Sequence, residues 1–141
     1  MKVSDILKSK GNNVYSVTEE ITVYEALKVM EDKNVGALVV MDGESLKGII
    51  SERDYARKVI LKGLSSHETA VREIMTEKVI SILPEDDIDK CMELMSGRKI
   101  RHLPVMKDEK LMGIISITDV VTAIIESQKN TIAQLESYIS Q

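Results

Sequence analysis

The chain has 141 residues, 43% apolar and 30% charged, enough apolar surface for one compact domain or two half-domains sharing a core, which excludes disorder as the starting assumption. It is too short for a catalytic domain with a separate regulatory domain. A net charge of -4, a sequence pI near 5.3, and 3% aromatic residues with no Trp or Phe exclude a general attraction to nucleic acid or anionic membrane and a base-stacking platform, so any anion site has to be local.

In chain order, the segment Val3-Ser4-Asp5-Ile6-Leu7 is a short lead-in. Val14 to Val17 reads as a short strand rich in β-branched residues. Thr22-Val23-Tyr24-Glu25 has the form of a capping box, opening a helix in which Val23, Ala26, Leu27 and Met30 keep helical spacing. Ala37 to Val40, a turn at Asp42-Gly43, and Leu46 to Ile50 form a predicted hairpin. A closing helix is expected from about Glu52 to Lys62.

The second half repeats this order. Val71-Arg72-Glu73-Ile74-Met75 is a second lead-in, Val79 to Leu83 a strand, and Ile88, Cys91, Met92 and Met95 the apolar face of a helix. His102 to Met106 and Leu111 to Ile115 form a hairpin around Lys107 to Lys110, and a helix follows from Thr118. Each half is therefore strand, helix, strand, strand, helix.

The repeat extends to residue identity. An offset of 65 carries Val14 onto Val79, Ser16 onto Ser81, Met30 onto Met95, Leu38 onto Leu103, and Val40-Met41 onto Val105-Met106, without a gap. It also carries Gly48-Ile49-Ile50-Ser51 onto Gly113-Ile114-Ile115-Ser116 and Asp54 onto Asp119. The lead-ins match at an offset of 68 instead, which places a three-residue length change in the loop after them. Pattern alone would preserve apolar class but not glycine, serine and aspartate, so the chain is a duplicated unit. One such unit buries little apolar surface by itself. Two packed sheet to sheet about a pseudo-twofold axis would share a core and leave two related clefts, a usual place for ligands. The expected organisation is a first repeat over 1–65, a second over 66–126 and a helical extension over 127–141.

The hairpin endings Gly48-Ile49-Ile50-Ser51-Glu52-Arg53-Asp54 and Gly113-Ile114-Ile115-Ser116-Ile117-Thr118-Asp119 are the segments with chemistry in them. Glycine admits close approach of backbone or ligand. Serine and aspartate three apart, where strand becomes helix, bring a hydroxyl and a carboxylate to a point where unpaired helix N–H groups attract anions. The carboxylate suits a vicinal diol such as that of ribose. The same spacing is also a plain capping arrangement, with serine at the N-cap and the acid three residues on.

With Glu73-Ile74-Met75-Thr76, Arg101-His102-Leu103-Pro104-Val105 and the two Gly-x-x-Ser-x-x-Asp endings, the chain from Val3 to about Ile125 resembles the cystathionine-β-synthase (CBS) domain family, two of whose units in tandem form a Bateman module. The resemblance implies a mixed α/β fold of two β-α-β-β-α repeats that binds AMP, ADP, ATP or a related adenosyl ligand in one or both clefts. It implies that Ser51 and Ser116 contact phosphate or ribose, and that Asp54 and Asp119 contact ribose hydroxyls. Val79, Ile80 and Ser81 would border the base, as would Val14, Tyr15 and Ser16 in the first copy. Arg101 and His102 fall where the family often places phosphate contacts. It also implies a homodimer, since CBS pairs commonly form disc-like dimers.

The copies depart from each other in charge. Arg101-His102 corresponds to Gly36-Ala37, and Arg53 to Thr118, so two such clefts are chemically unequal. One preferred site is expected, centred on Arg101, His102, Ser116 and Asp119, with Arg53 reaching phosphate from the other copy. The remaining basic residues, Arg57, Lys58, Lys62, Arg98 and Lys99, read as solvated helix faces. His67 and His102 have no second ligand at metal spacing, so no metal site and no catalytic cofactor are expected. Cys91, on the apolar face at the position of Ala26, reads as a buried thiol and suits a reducing compartment. After Val121, the residues Ile125, Ile132, Leu135 and Ile139 form a stripe that packs either on the chain's own first unit or on another chain as a short coiled coil.

The reading is a cytoplasmic regulatory module that senses an adenine nucleotide and modulates an unidentified partner protein, with no membrane and no nucleic acid involved. The absence of an apolar signal region near Met1, or of any apolar run near ~18 residues, fits that location. Two rivals stand beside it. One is an adaptor with vestigial clefts; the other is a nucleotide phosphohydrolase using Asp54 or Asp119 with His102.

Overall fold

The computed structural model describes residues 1–140 and contains six α-helices and two small sheets. Helix α1 (Val3–Lys10) is followed by β1 (Ser16–Val17), α2 (Val23–Lys33), β2 (Ala37–Asp42), β3 (Ser45–Ser51) and α3 (Glu52–Lys58). The second half holds α4 (Val71–Ile74), α5 (Ile88–Arg98), β4 (His102–Lys107), β5 (Lys110–Ser116) and α6 (Ile117–Ile139).

Most expected elements form for the expected reasons. Helix α2 starts at Thr22, whose hydroxyl accepts from the Glu25 N–H at 3.1 Å, and it buries Val23, Ala26 and Met30. It ends at Asn34 in the left-handed region, where a short polar side chain is tolerated. Helix α5 buries Ile88, Cys91 and Met95 on the equivalent face and closes on Lys99, also left-handed at φ 54°. The first hairpin turns at Gly43, φ 59°, and β2 pairs antiparallel with β3 from Ala37 opposite Ser51 to Asp42 opposite Ser45, with an irregularity at Val40/Met41. In the second hairpin Asp108 and Glu109 take positive φ together, the backbone of a tight two-residue turn that matches strand twist.

Two expectations fail locally. Val79 to Leu83 does not form a strand: the second copy keeps only a parallel bridge between Ile82 and Val105, whereas β1 pairs with β2 at Ser16 opposite Val39 and Val17 opposite Val40. Pro84 and Pro104 stand at this position of the second copy and remove ladder donors. The closing helix of the first copy stops at Lys58, and Ile60–Lys62 is a separate 3-10 turn ended by Gly63 at φ 72°. Helix α6 runs without a break through the expected extension to Ile139, and Ile125, Ile132, Leu135 and Ile139 are 46% to 80% exposed.

The compact units of the fold are not the two sequence copies. One unit joins Met1–Asn12 and Ser81–Lys107 to the chain from Met112 on; the other is Asn13–Ile80 with Asp108–Leu111. The lead-ins have been exchanged, and they are held alike. In the first-named unit Val3 N–H donates to Asp86 O at 2.9 Å and Ser4 N–H to Pro84 O at 2.8 Å. In the other, Val71 N–H donates to Ile21 O at 2.9 Å and Arg72 N–H to Glu19 O at 3.1 Å. These are the same positions at the two repeat offsets.

The unit holding the first copy's strands packs Val17, Val23, Met30, Leu38, Val40 and Ile50 with Val71 and Ile74 of α4. In the other unit Val3, Ile88, Cys91, Leu103, Val105, Ile115 and Val120 are buried, with α1 contributing Val3, Ile6 and Leu7. Transferring such aliphatic side chains from water stabilises each unit by about 1.5–3 kcal/mol per fully buried residue.

Candidate functional site

The hairpin endings take one geometry in both copies. Ser51 is the N-cap of α3: its hydroxyl accepts from Asp54 N–H at 3.2 Å, and Ser51 N–H donates to Asp54 Oδ2 at 2.9 Å. Ser116 caps α6 in the same way, accepting from Asp119 N–H at 3.2 Å and donating its own N–H to Asp119 Oδ2 at 2.8 Å. The capping reading of the motif is thus realised twice. It pins each carboxylate beside the serine at the end of a strand.

The glycines of the motif make room for protein. A Cβ on Gly48 would lie 2.8 Å from Thr76 O, in a segment where Ile49 and Thr76 exchange backbone hydrogen bonds of 2.9 and 3.1 Å. A Cβ on Gly113 would lie 2.7 Å from Leu7 Cδ2. In both copies glycine lets the exchanged lead-in sit against the second hairpin strand.

The carboxylates differ in their counterions. Asp54 is paired with Lys58 of its own helix at 3.2 Å, and Lys58 Nζ also donates to Ile74 O at 2.9 Å. Asp119 is met by Lys10, the last residue of α1, with Nζ 2.6 Å from Oδ2; the same ammonium donates to Ile114 O at 2.8 Å. At the repeat offset Lys58 corresponds to Ala123, which is buried, so α6 has no lysine of its own at that place.

Burial pulls the Asp119 carboxyl upward, but the Lys10 hydrogen bond and the Ser116 N–H outweigh it and hold the group below its ordinary 3.8. His102, half-buried, is held below its ordinary 6.5, first by burial and then by the Lys10 ammonium, with Arg101 acting in the same sense and Asp119 against it. The locale therefore carries two cations, one carboxylate and an imidazole that prefers to be neutral.

Of the expected nucleotide contacts, Ser81, Arg101, His102, Ser116, Thr118 and Asp119 fall in one unit. Arg101 O accepts from Ile117 N–H at 2.8 Å, which ties the start of β4 to the start of α6 and so sets Arg101 and His102 beside Ser116. Ser81, Arg101 and Thr118 are exposed; His102, Ser116 and Asp119 are partly buried. Val14, Tyr15, Ser16, Ser51, Arg53, Asp54, Val79 and Ile80 belong to the other unit. There the Tyr15 ring has the Lys33 ammonium 5.4 Å from its centre, Val14, Val79 and Ile80 are half-buried, and Arg53 is exposed. Lys10 escapes sequence reasoning, because it stands 109 positions from Asp119 and nothing local marks it.

That second unit also has a groove of about 660 Å³ between α2, the loop that follows it and α3, lined by Leu27, Met30, Val35 and Tyr55 together with Glu31 and Glu52. It contains none of the expected nucleotide residues, and its two carboxylates oppose a phosphate. Among the described residues no group of His, Cys, Asp or Glu is arranged to hold a metal ion, and no helix is long and apolar enough to cross a membrane.

Known proteins share this architecture. The family model for the CBS domain matches residues 3–61 and 71–126. The mitochondrial CBS domain-containing protein CBSX3 of Arabidopsis thaliana is 44% identical over 97% of this chain and 71% of its own length. A solved structure of a protein with CBS domains from Burkholderia ambifaria MC40-6 superposes with a TM-score of 0.87 at 47% identity, covering 91% of this chain and 96% of that one. A CBS domain protein from Pyrobaculum aerophilum, complexed with AMP, gives a TM-score of 0.75 at 25% identity over 84% of this chain and 89% of its own. With two tandem matches spanning most of its length, the chain belongs to the CBS domain family.

Proposed function

We propose that the chain is a regulatory module that binds an adenine nucleotide at the second copy's motif and passes the bound state to a partner protein. The observation that carries this reading is the gathering of Arg101, His102, Ser116 and Asp119 at the start of α6, where β4 and β5 both end or begin. The AMP complex of the Pyrobaculum aerophilum relative supports the ligand class. The carboxylate would accept the ribose diol, the serine hydroxyl and the Arg101 guanidinium would face phosphate, and Ser81 would border the base.

The role is binding rather than chemistry, because Asp119 is committed as an ionised, hydrogen-bonded cap and is poorly suited to work as a general acid or base at neutral pH. Signalling requires the ligand to prefer one of two states of the module or of its dimer; a ligand bound equally by both would shift nothing. The dimer belongs to the same proposal, and the exposed stripe Ile125, Ile132, Leu135 and Ile139 is the surface that would serve it.

Titration calorimetry with AMP, ADP, ATP and adenosine tests the reading, run on the wild type, Arg101→Gln and Asp119→Asn. Binding of at least one phosphorylated ligand, weakened about tenfold or more in either variant, is expected. Arg101 is exposed and caps nothing through its side chain, so Arg101→Gln separates loss of a contact from loss of fold. Binding unaffected by both substitutions would overturn the site. Turnover of ATP with Mg²⁺ would favour the phosphohydrolase reading, and no binding at all would favour the adaptor.

A further inference from the structure

The ion pair between Lys10 and Asp119 has a consequence for which ligand the second-copy site accepts. Asp119 is the carboxylate assigned to the ribose diol, yet its Oδ2 is taken by the Lys10 ammonium at 2.6 Å and the Ser116 N–H at 2.8 Å. A diol reaches this carboxylate either at Oδ2, in competition with a charged and therefore stronger donor, or at Oδ1, on a carboxylate whose charge the ammonium already offsets. A neutral nucleoside gives the displaced ammonium nothing in return. It is left with Ile114 O and water beside Arg101 and a neutral His102. A phosphorylated nucleoside brings an anion to the same locale and re-neutralises it.

We propose that Lys10 is a specificity-determining residue that makes the second-copy site select phosphorylated adenine nucleotides over adenosine. This rests on the nucleotide-binding reading above. Lys10 acts twice: it sets a threshold by occupying Asp119, and it lowers that threshold only for a ligand carrying negative charge. The side chain is placed for this, since it comes from the end of α1, is one-third exposed, and is followed by Gly11 at φ 93°, where the helix terminates. The first copy is built differently. Asp54 is held by Lys58, one turn along its own helix, so its counterion comes from the element that carries the carboxylate and not from the lead-in helix.

The test is the ratio of adenosine to AMP dissociation constants in the wild type, Lys10→Met and Lys10→Arg, by calorimetry at fixed ionic strength. Lys10→Met keeps the aliphatic stem and removes the charge. It is expected to weaken AMP and to leave adenosine unchanged or tighter, so that the ratio falls about tenfold, while Lys10→Arg restores most of it. Melting of each variant shows that it is folded, and Lys10→Arg reports on the charge even if Lys10→Met is not. A ratio unchanged in Lys10→Met, with AMP still bound, overturns the role of Lys10 and leaves the nucleotide site standing. A wild type that binds neither ligand removes the site reading and this inference with it.

Discussion

Lys10 Nζ and Asp119 Oδ2 are 2.6 Å apart across 109 residues of sequence, whereas the corresponding acid of the first copy, Asp54, is paired at 3.2 Å with a lysine four residues along. The duplicated motif is therefore the same in backbone and different in counterion. Its two carboxylates depend on different lysines, Lys58 for Asp54 and Lys10 for Asp119.

The first expectation concerns Asp119. Because its carboxyl is held below 3.8, its ionised form stabilises the fold above that pH, and the contribution is lost as pH falls through the native value. In Lys10→Met the opposing effect of burial is left with less to outweigh it. A carbon-detected NMR titration of the Asp119 carboxyl is expected to show a midpoint under 3.8 in the wild type and a higher one in the variant. An unchanged midpoint would mean that the pair does not exist in solution.

His102 should act in the same direction, in a window nearer neutrality. Its native pKa lies below the 6.5 of the unfolded chain, so the unfolded state binds more protons below that pH. Stability from this group is fully present above 6.5 and declines as pH is lowered from there towards the native pKa. Urea unfolding followed from about pH 7.5 to about 5.5 should show the decline in the wild type and a flatter profile in His102→Gln. A decline of equal size in both would assign it elsewhere.

The motif glycines rank by what stands against them. Gly48→Ala drives a methyl to 2.8 Å from a backbone carbonyl, Thr76 O, which is fixed by the Ile49–Thr76 hydrogen bonds. A cost of about 1–3 kcal/mol is expected, as for overpacking in general. Gly113→Ala meets the end of the Leu7 side chain at 2.7 Å, which can change rotamer, and should cost less. Denaturant midpoints decide the order, and the reverse order would contradict the packing described.

Cys91 is fully buried on α5, and burial followed by the Asp86 carboxylate pushes its thiol up to about 11. The thiolate is the reactive form, so alkylation at neutral pH should proceed at the rate of unfolding or local opening of α5. Iodoacetamide labelling in increasing denaturant should track the unfolding curve. Rapid labelling of the native chain would place Cys91 outside the core.

Much of the fold was open to reading in the sequence because its signals are short-ranged. Val23, Ala26 and Met30 are buried where helical spacing puts them, as are Ile88, Cys91 and Met95. Both hairpins form as expected, with Gly43 in the left-handed region where the first one turns. The strand expected at Val79 to Leu83 is absent because a β-rich run does not pair without donors, and proline occupies two of the positions involved. The exposed face of α6 could not be predicted either, since an apolar stripe specifies that something covers it but not what.

At the site, Ser116 and Asp119 could be named from sequence because three-residue spacing at a helix start determines their mutual geometry. The partner of Asp119 could not be. Sequence by itself determined the duplication, the two hairpins with the helices beside them and the two capped motifs, all of which depend on neighbours within a few residues or on identity at a fixed offset. Only tertiary structure decided that the lead-ins are exchanged, that Gly48 and Gly113 face protein, and that Lys10 rather than a residue of α6 neutralises Asp119. Those outcomes follow from how the chain closes loops of tens of residues to bury α1 and α4. The closure entropy of such loops grows only slowly with length, so no local pattern fixes which segments meet.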